Sequence, residues 1–137
     1  MALLETLNVT EELMVGGPAT FKRTTLIRDA TASRTCTAAD YGKTICFNYA
    51  GAVAVTLPAN GAPAGSYIDM IVDGANTTIL TVSAASVNTL ITFNDATASS
   101  LAYSTTLHRI GGMLRFISNG TYWVGIPISG GLTAVVV

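Results

Sequence analysis

Charge is the scarcest ingredient of this chain. Charged side chains make up 11% of its 137 residues, where a soluble domain commonly carries about 25%. Ten of the fifteen lie within the first 43 residues, and beyond Lys43 only Asp69, Asp73, Asp95, Arg109 and Arg115 remain. Such a surface is not built like that of an ordinary free monomer, and charge is depleted where protein meets protein. The composition therefore points to an assembly protein. With a net charge of −1 and a pI near 5.6, the chain lacks the field that would draw it onto nucleic acid or anionic lipid. Neither is an expected partner. No apolar run approaches the roughly 20 residues that a membrane helix needs, and the opening Met1-Ala2-Leu3-Leu4-Glu5 has no basic leader. Neither membrane insertion nor export by a secretory signal is expected.

Residues for chemistry are equally sparse. His108 is the single histidine, so a Ser-His-Asp triad would have to use it, and no Gly-x-Ser-x-Gly turn accompanies it. Asp69 paired with Asp73 or with Asp95 has the residue types of a glycosidase. Asp73-Gly74 and Asn94-Asp95 read more simply as turns whose side chains bond their own backbone. One His and two Cys ten residues apart do not make a closed zinc site, and Asp73-Gly74-Ala75-Asn76 lacks the oxygen spacing of a calcium loop. No catalytic residue, cofactor or metal is expected. His108 and Arg109 read as a surface or interface pair.

Cys36 and Cys46 stand symmetrically about Tyr41. A hairpin centred there would set them opposite each other within disulfide range. The alternative is two reduced cysteines packed as small apolar residues, the better reading for a chain without an export signal.

What the sequence has in quantity is turns and β-branched runs. Gly16-Gly17-Pro18, Tyr41-Gly42, residues 59–65, Asp73-Gly74, Gly111-Gly112, Asn119-Gly120 and Gly130-Gly131 punctuate it at short intervals. Between them lie strand-like segments at 43–48, 53–57, 66–72, 77–83, 90–93, 107–110, 113–118 and 121–126. In 66–72, Ile68, Met70 and Val72 share one face and Tyr67, Asp69 and Ile71 the other, the first being core. Asn119-Gly120 suits a type I′ turn and predicts a hairpin of its flanking strands, with Trp123 anchoring the sheet. The only helical candidate, near 84–88, is too short to carry a fold. The expected class is all-β, an antiparallel β-sandwich or jelly-roll-like barrel over residues 36–137, preceded by an extended arm over 1–35.

In that arm, Leu7-Asn8-Val9, Leu13-Met14-Val15 and Ala19-Thr20-Phe21 are strand-sized pieces too small to bury their own apolar faces. Leu7, Val9, Leu13, Val15 and Phe21 are expected contact residues, against other subunits or a partner's sheet edge. Uncharged and β-prone, Val135, Val136 and Val137 are expected to pair with a neighbouring subunit or a partner.

The stretch from Leu7 to Phe21 resembles the strand-and-turn units of trimeric fibre and head proteins of tailed bacteriophages. Residues 40–45, 53–58, 65–74 and 77–82 resemble β-sandwich modules of phage decoration and fibre proteins. The resemblance implies a homotrimer on the surface of a virion, bound to the major capsid protein and stabilising the head without chemistry. The arm would then lie at the trimer or capsid contact. The absence of a long repeat favours a head protein over a fibre shaft. The alternative is a trimeric tail-fibre or receptor-binding module, in which Tyr67, Tyr103, Tyr122 and Trp123 offer aromatic faces to a carbohydrate or protein.

Overall fold

The computed structural model describes residues 26–73, 79–86, 89–92, 95–103, 111–129 and 134–136. Twelve strands follow in chain order: β1 (Leu26–Asp29), β2 (Ser33–Thr35), β3 (Lys43–Phe47), β4 (Ala52–Thr56), β5 (Tyr67–Val72), β6 (Ile79–Ser83), β7 (Leu90–Thr92), β8 (Asp95–Ala98), β9 (Ser100–Tyr103), β10 (Met113–Ser118), β11 (Trp123–Pro127) and β12 (Ala134–Val136). A single 3₁₀ turn, Ala38–Asp40, is the only helical element among the described residues. The fold is all-β. The expected strand at 107–110, and residues 1–25 of the arm, lie outside the described residues.

The strands form two sheets. One runs β1-β3-β5-β10-β11-β7-β8 and the other β12-β9-β6-β4-β2. The first six strands visit the sheets alternately: β1, β3 and β5 lie side by side and parallel in one, and β2, β4 and β6 side by side and parallel in the other. The chain is thus wound as three successive coils, the connectivity of a two-sheet parallel β-helix. Antiparallel pairing comes only afterwards, with β10 against β5 and β11, β9 against β6 and β12, and β7 against β8, while β7 and β11 run parallel. The pairing is therefore mixed where the sequence suggested antiparallel. Period-two alternation marks a half-buried strand whatever its neighbour's direction, so the pattern held no signal for polarity.

Both sheets contribute to one core. Ile45, Phe47, Ile68, Met70, Val72, Leu114, Phe116 and Trp123 come from the larger sheet, and Val53, Val55, Leu80, Val82 and Leu101 from the smaller. The expected inward face of 66–72 is confirmed, with Ile68, Met70 and Val72 fully buried. Trp123 is also fully buried, donates its indole N–H to the Pro58 carbonyl at 3.0 Å, and meets the Tyr41 ring at 6.0 Å. The 119–120 hairpin forms with a four-residue loop, because Ser118 pairs with Trp123. Asn119 Oδ1 accepts the backbone N–H groups of Thr121 and Tyr122 at 2.9 and 2.7 Å, and these bonds favour the longer turn over a two-residue one.

Two other expectations change. Among the described residues, 26–29 and 33–35 are strands of the two sheets, so residues 26–35 belong to the folded domain and not to an arm ending at 35. No hairpin joins Cys36 to Cys46, because the chain crosses from one sheet to the other between β2 and β3. Both cysteines are free and buried, and burial first of all pushes the Cys36 thiol up to about 11.

The first crossing is held by one cation. Arg34 donates from Nη1 to Asp29 Oδ2 at 2.8 Å and from Nη2 to Asp40 Oδ1 at 2.7 Å, while Asp40 Oδ2 accepts the Thr37 N–H at 2.9 Å. Burial works against the charged form of Asp29, but hydrogen bonds from Thr31 and Arg34 outweigh it and hold its carboxyl below the usual range. A lowered folded pKa stabilises above the unfolded value, near 3.8, and that contribution is lost as pH falls through the folded one. Asp29→Asn should therefore cost about 1–3 kcal/mol at pH 7. It should also flatten the fall in urea midpoint between pH 5 and pH 3.

Gly125 marks the tightest approach in the core, where an added Cβ would lie 3.0 Å from Phe116 and 3.1 Å from Leu101. Gly125→Val is expected to overpack this point and lower stability by about 1–3 kcal/mol, read from thermal melts.

Candidate functional site

The two sheets present very different outer faces. On the smaller sheet the described outward side chains are Ser33 and Thr35, Ala52, Ala54 and Thr56, Thr81 and Ser83, and Ser100 and Ala102, all exposed or half-buried and all small. On the larger sheet they are bulky and apolar. Strands that carry apolar residues on both faces are those that a protein covers on both sides.

Register resolves this larger face into three rows. The first runs across the strands from Arg28 through Cys46, Ile71 and Met113, and continues to Ile128, whose N–H donates to the Met113 carbonyl at 2.9 Å. The third joins Tyr67, Ile117, Val124 and Ile91. Tyr67, Ile126 and Ile128 are 37, 41 and 48% exposed. These are large values for such side chains, Tyr67 and Ile126 standing within strands and Ile128 just past the end of β11.

The middle row, Leu26, Thr44, Asp69, Arg115 and Ile126, carries the charge. Arg115 forks onto Asp69, Nε to Oδ1 at 2.6 Å and Nη2 to Oδ2 at 2.7 Å. Its guanidinium lies 4.8 Å from the centroid of the Tyr67 ring. The Asp69 hydrogen bond, and then its charge, hold Arg115 still more firmly protonated. Asp69 is 4% exposed although it points outward. The pair neutralises itself, so the centre of the face has no free charge for a partner to match. The other ion pair on this side, Arg28 with Asp73 at 3.4 Å, sits at the rim and is well exposed.

Of the expected contact residues, Leu7, Val9, Leu13, Val15, Phe21 and Val137 lie outside the described residues. Val135 and Val136 are on β12, opposite Ala102 and Leu101 of β9. One edge of that strand is thus paired within the chain, and its other edge is the border of the smaller sheet. Asp69 is occupied by Arg115, and Asp95 Oδ1 accepts the Thr97 N–H at 2.7 Å, the local bonding read for it from the sequence. Residues 74–76 and His108 are outside the described residues. Among the described residues no group of three His, Cys, Asp or Glu side chains is placed to hold a metal, and no helix is long and apolar enough to cross a membrane.

The sequence reading missed the outer face of the larger sheet. Its signal was present in Met113, Ile117, Val124 and Ile126, which are apolar at the outward parity of their strands. No protein-family model and no curated protein matches the chain.

Arg115→Leu would leave the Asp69 carboxylate buried and unpaired. We expect it to cost about 1–3 kcal/mol, the half-exposed arginine moderating the loss. The Asp69→Leu/Arg115→Leu double variant should recover most of it. A urea double-mutant cycle checks this, and strictly additive single effects would contradict the pairing.

Proposed function

We propose that this chain is a structural virion protein without chemistry, a homotrimeric capsid decoration protein that binds the major capsid protein and stabilises the head. The outer face of the larger sheet is its protein-contact surface. One observation carries the contact role: bulky apolar residues in register across β5, β10 and β11, centred on a self-neutralised ion pair, while the described outward side chains of the second sheet are Ser, Thr and Ala. Its first occupants are the faces of the other two subunits gathered about the three-fold axis, because a face without free charge is met well by further apolar surface and closed oligomers bury such faces. The capsid assignment rests on the resemblance of residues 7–21, 40–45, 53–58, 65–74 and 77–82 to phage head and fibre modules. A trimer touching several capsid subunits gains avidity from modest contacts.

A second reading, a trimeric tail-fibre or receptor-binding module, is favoured by the three-coil winding. Parallel coils extend along an axis by simple repetition.

Light scattering coupled to size-exclusion chromatography tests the assembly. The full chain is expected at three times 14.1 kDa. Ile117→Asp/Ile126→Asp should release monomers, and Thr81→Asp on the smaller sheet should leave the mass unchanged. A full chain that runs as a monomer, or a trimer indifferent to the paired substitution, would overturn the reading.

A further inference from the structure

The coil of β1 and β2 is held in a way that the next coil is not. Both are border strands of their sheets, so among the described residues each is paired along one edge alone. In the larger sheet, the inward column that carries Phe47 on β3 and Val72 on β5 carries Asp29 on β1. In the smaller sheet, the column of Val55, Val82 and Leu101 carries Arg34 on β2. The next coil meets the core with Ile45, Phe47, Val53, Val55 and Leu57, each at most 1% exposed. Residues 26–36 bury a single apolar side chain, Cys36, and half-bury Ile27.

What fastens this coil is polar and converges on Arg34, whose guanidinium holds Asp29 at the end of β1 and Asp40 beyond the end of β2. Asp29 belongs to the coil, where its Oδ1 accepts the Thr31 N–H at 2.9 Å. Asp40 belongs to an anchored turn. The Tyr41 ring that follows it meets Trp123, and the Gly42 N–H donates to the Tyr67 carbonyl at 2.7 Å. One arginine thus joins a border coil to the body of the molecule. Asp29 and Asp40 are buried and Arg34 is 22% exposed, and removing one partner from such a group leaves a buried charge unmatched. Cys36 lies in the same cluster, and its N–H donates to the Thr56 carbonyl at 2.9 Å.

We propose that Arg34 is a latch: bound to Asp29 and Asp40, it keeps residues 26–36 shut along the edges of β3 and β4, and this coil opens and closes as a unit of its own while the rest of the two sheets stays folded. Local opening of a native protein concentrates where buried apolar contacts are few and pairing is one-sided. The closed form dominates. The open form uncovers Cys36 together with the parallel edges of Lys43–Phe47 and Ala52–Thr56. Bare edges of that kind accept strands from other chains, so the latch also guards the subunit against edge-to-edge association. It stands independently of the contact role of the outer sheet face.

Alkylation of the cysteines by N-ethylmaleimide at pH 7, mapped by peptide mass spectrometry on the full chain, tests it alongside hydrogen exchange. In the closed form Cys36 is covered, and burial first of all holds its thiol up at about 11, so its modification reports the open form. Arg34→Met is expected to speed alkylation of Cys36 and exchange of amides 33–36 by about tenfold or more. Exchange over 67–72 and 113–118 should stay unchanged. If Arg34→Met also loses protection over 67–72, Asp29→Asn, which keeps the side chain's shape, makes the same comparison. Cys36 alkylation that neither variant speeds, or that rises only in step with exchange over 67–72 and 113–118, would overturn the proposal.

Discussion

Stacked inward columns between the two sheets hold the rest of the molecule in place. Ile27, Ile45, Met70 and Leu114 stand in one column of the larger sheet, and Val55, Val82 and Leu101 in one of the smaller. Each fully buried side chain contributes about 1.5–3 kcal/mol. Their greater effect is on register, because a slip of one residue would turn every such column to the outside. The same parity fixes what the molecule shows to its surroundings. Once Ile68 and Met70 point inward, Tyr67, Asp69 and Ile71 must point outward, and the same holds for Met113, Arg115 and Ile117 on β10. The apolar outer face is thus built in by the residues that fill the core.

Parity was the part of the fold most legible in the sequence. It gave the all-β class, the core face of β5 and the hairpin at Asn119, because alternation and turn chemistry are local. Strand direction and partner choice were not legible. The coil winding depends on which strands lie side by side eighteen or more positions apart, and nothing in Lys43–Phe47 says that its neighbours run parallel. Short strands such as Ser33–Thr35 and Asp95–Ala98 were missed because three or four residues of Ser, Thr, Ala and one charge carry no periodic signal. The charge scarcity carried no information on where the bulky outward residues gather. Asp69 and Arg115 are 46 positions apart, and only the pairing of β5 with β10 joins them.

A surface of this kind works by area and shape. With its central charges bound to each other, contact depends little on screened ionic attraction and so resists salt. The Arg115 fork also spares the face an unpaired charge at its centre, which would cost heavily once covered. The described outward side chains of the smaller sheet, Ser, Thr and Ala, suit solvent without strong charge. Together the two faces give the chain one bulky, largely apolar side and one whose described side chains are small.

Hydroxyl-radical footprinting of the assembled chain against its diluted form tests most directly whether the larger sheet's outer face is covered. Met113, Tyr67 and Ile126 are expected to be protected at high concentration and to become reactive as the assembly dissociates. Tyr49, exposed in the connection between β3 and β4, should stay reactive throughout. Met113 and Tyr67 reacting in the assembly as they do in the diluted chain would contradict the contact role of this face.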